Sequence, residues 1–165
     1  MLKISPLSRA FNREDFDCGS ESLNVFLKSL AFQSQKKATS RTYVLHSEET
    51  KRTILGFYTL VVCTVSSEAL PEAYAKKYKP NMPGVNLARL GVNTDFQGQG
   101  YGAHLMSNAL SKVLELSEIA GAAACFVDAK EGARDFYLNY GFIPLSSDAN
   151  RLFLPIKSIK TLFNT

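Results

Sequence analysis

Apolar residues recur along this chain with two different periods, and the switches between them sketch an architecture. Between Glu21 and about Ala38, the residues Leu23, Phe26, Leu27, Leu30 and Ala31 fall at i, i+3, i+4, i+7 and i+8. That spacing lines one face of a helix, and Ser20 stands where an N-cap belongs. A second helical pattern runs from about Gly100 to Ser117, with Met106, Ala109, Leu110, Val113 and Leu114 on one face. Runs rich in β-branched and aromatic residues predict strands at Leu2–Leu7, Arg41–Ser47, Thr53–Val65, Val85–Val92 and Ala122–Asp128. The polar turn Glu48–Arg52 separates the second and third of these. A helix over Glu131–Tyr140 and strands near Phe142 and over Arg151–Ile156 complete the series.

The connection from Ser66 to Gly84 is long for a small domain. It holds Pro71, Pro80 and Pro83 and room for a short helix at Glu72–Tyr78; connections of that length often carry function. The order, a strand, a helix, a run of strands, then β-α-β-α-β-β, predicts a mixed α/β or α+β fold with helices packed on one central sheet. At 165 residues, 45% hydrophobic and 21% charged, one globular domain spanning 1–165 is expected. The apolar run Ile54–Val65 is too short to span a bilayer, and Met1–Pro6 has no apolar stretch of signal-peptide length. Three widely spaced cysteines, Cys18, Cys63 and Cys125, suggest neither a disulfide framework nor a metal pair, so a reducing, cytoplasmic setting is expected.

Charge changes the picture through its distribution. The net balance is +4, from 19 basic and 15 acidic residues. Ser22–Ser47 contains Lys28, Lys36, Lys37 and Arg41 without a carboxylate, and Ala73–Thr94 contains Lys76, Lys77, Lys79 and Arg89, again without one. Two such stretches suit a polyanion such as tRNA if they meet in space, and are ordinary solvated surface if they do not.

The sharpest local signal is Gln97-Gly98-Gln99-Gly100-Tyr101-Gly102, placed between a strand and an amphipathic helix. Glycines allow positive φ and close backbone approach, and the first amides of a helix lack internal partners, so the segment suits phosphate or pyrophosphate. It is not a P-loop, since no lysine follows until Lys112, and GxGxG is not the dinucleotide spacing.

The spacing Gln-x-x-Gly-x-Gly, preceded by Arg89-Leu90-Gly91-Val92-Asn93, resembles the acetyl-CoA-binding core of the GNAT N-acetyltransferases. Downstream, Ala133–Phe142 contains Phe136-Tyr137 ahead of Gly141-Phe142 and resembles that family's F-Y-x-x-x-G-F segment. Upstream, Phe16–Leu27, Ile54–Leu60, Pro83 and Leu87–Val92 are similar to segments of the toxin-type branch. Those enzymes are encoded with ribbon-helix-helix antitoxins and acetylate the amino group of aminoacyl-tRNA, which stops translation.

The resemblance implies a central, mostly antiparallel sheet flanked by helices, with a splayed parallel strand pair at the acetyl-CoA site. It implies a cofactor set of Leu90, Gly91, Val92, Gln97, Gly98, Gln99, Gly100, Tyr101, Gly102, Ala103 and Phe136. Leu90 and Val92 would bond the pantetheine arm, and amides from Gly98 to Ala103 would hold the pyrophosphate. Tyr137 matches the family's general acid, and a phenol is protonated at neutral pH. Acetyl-CoA would be the co-substrate, no metal is required, and a homodimer is the family default. The expected tRNA footprint is Lys28, Lys36, Lys37, Arg41, Lys76, Lys77 and Arg89.

Other chemistry finds little support. Two histidines, His46 and His104, cannot build a multi-histidine metal site, and no GxSxG elbow occurs. His104 is expected as a surface or packing residue, and Cys63 and Cys125 as packing residues. Glu68, Glu72 and Asp95 are base candidates by place alone. The α-amine of an aminoacyl ester is partly neutral at physiological pH, which makes a base less necessary. An alternative substrate is a small-molecule amine or a peptide N-terminus; a non-catalytic acetyl-CoA sensor is a third reading, opposed by an intact Tyr137.

Overall fold

The computed structural model describes residues 1–49, 52–130 and 132–164. Its strands are β1 (Leu2–Pro6), β2 (Arg41–Ser47), β3 (Gly56–Ser66), β4 (Asn81–Val92), β5 (Ala124–Asp128), β6 (Ile143–Pro144) and β7 (Arg151–Pro155). They form one seven-stranded sheet in the order β1-β2-β3-β4-β5-β7-β6. The pairs β1–β2, β2–β3, β5–β7 and β6–β7 are antiparallel, whereas β4 and β5 are parallel, from Gly84 opposite Ala124 to Leu87 opposite Val127. Parallel neighbours need a crossover, and the long helix α4 (Tyr101–Ile119) supplies it. This is the mixed α/β sheet that the element order predicts.

The chain divides into two compact units, Met1–Val61 with Ala88–Ala109 and Val62–Leu87 with Leu110–Thr165. In the first, Leu7, Phe16, Leu23, Phe26, Leu27, Ala31, Val44, Ile54 and Phe57 form a buried core. Gly56 lets strand and helix close up there: a Cβ on it would stand 2.8 Å from Leu105 Cδ1 and 3.0 Å from the Gly91 carbonyl. In the second, Val65, Leu70, Met82, Ala124, Phe126, Leu145 and Phe153 pack together. Gly84 lies under the Phe126 ring, where a Cβ would come within 2.7 Å of the Ala124 carbonyl.

The N-terminal helix departs from its expected form. It is α1 (Glu21–Val25), a π-turn over Phe26–Leu30, and α2 (Ala31–Lys36). The wider turn takes up one extra residue. Leu30, its last position, is assigned to the buried face by the spacing but is 50% exposed, whereas Ala31 directly after it stays buried. Ser20 does not cap through its side chain; its hydroxyl lies 3.3 Å from that of Ser22.

Elsewhere the boundaries shift modestly. β4 starts at Asn81 rather than Val85. The helix expected over Glu131–Tyr140 is α5 (Arg134–Leu138), and Glu131, like Thr50 and Lys51 of the expected polar turn, lies outside the described residues. The connection after β3 holds α3 (Glu72–Lys77), close to its predicted span. A C-terminal helix, α6 (Ile156–Phe163), has no counterpart among the predicted elements. No described helix is long and apolar enough to cross a membrane.

Candidate active site

The glycine turn belongs wholly to the first unit. β4 ends at Val92, and Asn93 starts a tight 3-10 turn over Thr94–Phe96. Asn93 is buried and triply anchored: its amide donates to the Leu55 carbonyl, its side chain donates to the Ile54 carbonyl, and its Oδ1 accepts from the Asp95 amide. The chain therefore leaves the strand in a fixed direction.

Gly98 and Gly100 then both adopt φ +81°, with open space where a Cβ would be. A non-glycine residue would be strained there, and the bare backbone is accessible from outside. The first α4 hydrogen bond runs from the His104 amide to the Gly100 carbonyl at 3.1 Å. Amides of Tyr101, Gly102 and Ala103 thus precede the helix's own ladder, at its positive end. A helix start with spare donors and no bulk in front of it fits an anionic group such as a pyrophosphate.

Gln97 plays a part the sequence does not disclose. Its side-chain amide donates to the carbonyl oxygens of Val92 (3.0 Å) and Cys18 (3.3 Å), tying the turn to β4 and to the segment before α1. That segment is pinned further. The Thr94 amide donates to the Asp17 carbonyl, and Asp17 accepts from the Gly19 amide and from Asn24, which together hold its carboxyl below the usual carboxylate range. Cys18 packs on Gly91, where a Cβ would meet its Sγ at 3.2 Å.

Tyr137 belongs to the second unit, on α5. It is 9% exposed, with Phe136 and Phe142 edge-on to its ring at 5.3 and 5.6 Å. Burial, with a smaller contribution from Cys125, pushes the phenol up to about 12. No described residue takes up its hydroxyl. Phe136 also meets Tyr140 edge-on at 5.3 Å. The chemistry this offers is a neutral proton donor in an apolar setting.

The expected basic footprint falls in both units. Lys28 and Lys36 lie on the N-terminal helix, Lys37 at its end, Arg41 at the start of β2 and Arg89 on β4, all in the first unit. Lys76 and Lys77 lie on α3 in the second, where Lys76 reaches Glu72 at 3.5 Å on an exposed surface. Two arginines escape sequence reasoning: Arg9 and Arg13 lie over the Phe32 ring at 5.2 and 5.4 Å. Their only sequence signal is a basic residue flanking the N-terminal helix. Glu68, Glu72 and Asp95 are all exposed, as is His104. Among the described residues no three His, Cys, Asp or Glu side chains gather as a metal site.

A mixed sheet with a parallel pair, and a glycine turn that frees amides at the head of the crossover helix, fit an acyl-CoA-dependent transferase. The chain belongs to the GNAT acetyltransferases: the family profile described as acetyltransferase (GNAT) domain matches residues 17–156. It is 30% identical over 171 aligned positions to the probable toxin TacT of Sinorhizobium fredii (strain NBRC 101917 / NGR234), covering 96% of this chain and 93% of that protein. The solved structure of AtaT complexed with acetyl-methionyl-tRNAfMet superposes with a TM-score of 0.91 at 37% identity, over 99% of this chain and 100% of that one. A tyrosine-to-phenylalanine variant of the AtaT toxin, bound to the C-terminus of the antitoxin AtaR and to acetyl-CoA, gives 0.85 at 35% identity over 99% of each.

Proposed function

We propose that this chain transfers the acetyl group of acetyl-CoA to the α-amino group of an aminoacyl-tRNA, and acts as a toxin that blocks translation. The observation that carries the reading is its full-length likeness to a toxin solved with an acetylated, charged tRNA. Its own residues supply fitting chemistry. Amides from Gly98 to Ala103 hold the pyrophosphate of acetyl-CoA, with Gln97 bracing the turn. Backbone groups of Leu90, Gly91 and Val92 bond the pantetheine arm as an added strand would, and Phe136 completes the cofactor set.

In the transfer, the neutral α-amine forms a bond to the thioester carbon and the carbon–sulfur bond breaks. The amine sheds a proton to water, the departing thiolate takes one from the Tyr137 phenol, and the phenolate is reprotonated from solvent. A strand amide between Leu90 and Val92 steadies the tetrahedral oxyanion. No side-chain base is required for an aminoacyl ester.

The basic residues Lys28, Lys36, Lys37, Arg41, Arg89, Lys76 and Lys77 form the tRNA footprint, so reversing two of them should weaken binding and flatten its salt dependence. The chain works as one acetyltransferase domain over 1–165, since the family profile crosses both compact units; coincident unfolding by two probes is the expected behaviour. It acts in the cytoplasm as a homodimer, held inactive by an antitoxin of ribbon-helix-helix type. Sedimentation and co-expression with a neighbouring gene test those two partnerships.

The deciding experiment measures transfer of labelled acetyl groups from acetyl-CoA to a pool of charged tRNA, with uncharged tRNA and free amines alongside. Label confined to charged tRNA, and lost in the Tyr137→Phe protein, is the expected result. Label on a free amine and none on tRNA moves the function to small-molecule acetylation.

A further inference from the structure

The π-turn in the N-terminal helix begins at Phe26, which is 5% exposed and sits in the core with Leu23, Leu27 and Ala31. The Arg89 guanidinium lies over that ring, its central carbon 3.7 Å from the centroid. This is a much closer approach than those of Arg9 and Arg13 to Phe32. Arg13 is also committed inward, donating to the Lys28 carbonyl at 3.2 Å.

Arg89 is different. It is half-buried, and desolvation draws its pKa down. Ion pairs among the described residues join Met1 to Glu49, Lys3 to Glu48, Lys76 to Glu72 and Arg151 to Asp128, and none involves Arg89. A partly desolvated cation without an anion is costly, and the ring face offsets only part of that cost. At 3.7 Å from the centroid the guanidinium has room only to lie face-on to the ring, and that contact restrains its plane. Its edge of N–H donors then has the geometry that captures phosphate oxygens two at a time, which a lysine cannot copy.

π-turns interrupt helices mostly at functional sites. Here the interruption begins at the ring that holds the arginine, at the cost of leaving Leu30 in water.

We propose that Phe26 is a positioning residue that holds Arg89 for two-pronged capture of a backbone phosphate of the RNA substrate. The proposal rests on the aminoacyl-tRNA reading above. Acetyl-CoA also carries phosphates, and the experiment separates the two sources.

Initial rates with charged tRNA and acetyl-CoA varied in turn are compared for the wild type, Arg89→Lys, Phe26→Leu, Phe26→Tyr and the Phe26→Leu/Arg89→Lys double variant. Arg89→Lys keeps the charge and loses the fork. It should raise KM for charged tRNA about fivefold to tenfold, with kcat and KM for acetyl-CoA within about twofold and the salt slope unchanged. Phe26→Leu should do the same, Phe26→Tyr should restore the wild-type KM, and the double variant should be no worse than Arg89→Lys alone. Additive losses, an unchanged KM for tRNA in Phe26→Leu, or a rise in KM for acetyl-CoA instead would overturn the proposal.

Acetyl-CoA binding by calorimetry checks that each variant is folded; should Phe26→Leu fail that check, Arg89→Lys and Phe26→Tyr carry the comparison. If the wild type acetylates no tRNA, the functional reading falls and binding of labelled pooled tRNA decides this inference separately. Binding about fivefold weaker in Arg89→Lys supports it, and equal binding sinks it.

Discussion

The Gln97 side-chain amide donates to the Val92 carbonyl at 3.0 Å, so the residue that opens the glycine turn is tied back to the strand preceding it. Its second bond, to the Cys18 carbonyl at 3.3 Å, braces the same turn against the entry to α1. Both acceptors are carbonyls, so only a donor serves. Gln97→Ala should lose about 1 kcal/mol per bond and let the amides of Gly98 to Ala103 wander. The expected outcome is a KM for acetyl-CoA raised about tenfold with kcat within about twofold. Gln97→Glu should be worse, because a carboxylate would face two carbonyl oxygens. Initial rates over a range of acetyl-CoA concentrations check both, and an unchanged KM would show the turn stands without its brace.

Gly98 and Gly100 differ in kind from Gly84, and one substitution distinguishes them. Gly98→Ala and Gly100→Ala meet open space, so their cost is the left-handed backbone alone, about 1–2 kcal/mol. It should appear mainly as weaker acetyl-CoA binding, since the turn relaxes away from its binding geometry. Gly84→Ala instead drives a methyl group against the Phe126 ring and the Ala124 carbonyl, which belongs to a paired strand and cannot yield. A loss of about 3 kcal/mol of stability is expected. Denaturant melts beside acetyl-CoA titrations should show opposite profiles for the two kinds.

Ala38 marks a position where a glycine would serve better than the native residue. It follows the C-cap of α2 with φ +61°, and the amides of Ala38 and Thr39 close the helix end onto the carbonyls of Gln35 and Ser34. That geometry usually employs glycine. Ala38→Gly should raise stability by about 0.5–1 kcal/mol, the left-handed strain relieved exceeding the entropy added to the unfolded chain. A thermal melt reads this as a few degrees upward; no rise would mean the strain is absorbed elsewhere.

Arg41–Ser47 is legible in the sequence to the residue, because the β-branched and aromatic run Thr42-Tyr43-Val44-Leu45 is bounded by polar residues on both sides. The glycine turn is legible because only glycine tolerates φ +81° twice within three residues. The π-turn is hidden: one inserted residue leaves the i, i+3, i+4 spacing intact on either side, and only the exposure of Leu30 betrays it. β4 begins four residues early because Pro83 and Gly84 read as strand breakers, whereas Gly84 is there to admit the Phe126 ring. α6 escapes notice because Arg151–Pro155 reads straight on into Ile156, although Ile156, Ile159 and Phe163 already carry helical spacing. In the candidate site, the turn and Tyr137 can be named from motifs. The struts cannot, since Gln97–Cys18 and Arg89–Phe26 join residues more than sixty positions apart in sequence.

Tyr137 and Cys125 give the second unit an alkaline limit. Burial pushes both the phenol and the thiol up to about 12, from ordinary values of 10.0 and 9.0. In the unfolded chain these protons leave near their ordinary values, while the native protein keeps them. Their contribution to stability is therefore intact below about pH 9, declines as pH rises, and is lost above about 12, at about 1.4 kcal/mol per pH unit for each group. Denaturant melts between about pH 8 and 11 should trace that decline, and Cys125→Ala should make it shallower whatever its effect at neutral pH. Turnover should behave differently. A phenol held near 12 stays protonated, so kcat should show no alkaline fall up to about pH 10 while the fold persists. A fall with an apparent pKa of about 9 to 10 would mean that the phenol is more exposed in the working complex, and would remove burial as the means by which the proposed proton donor stays neutral at alkaline pH.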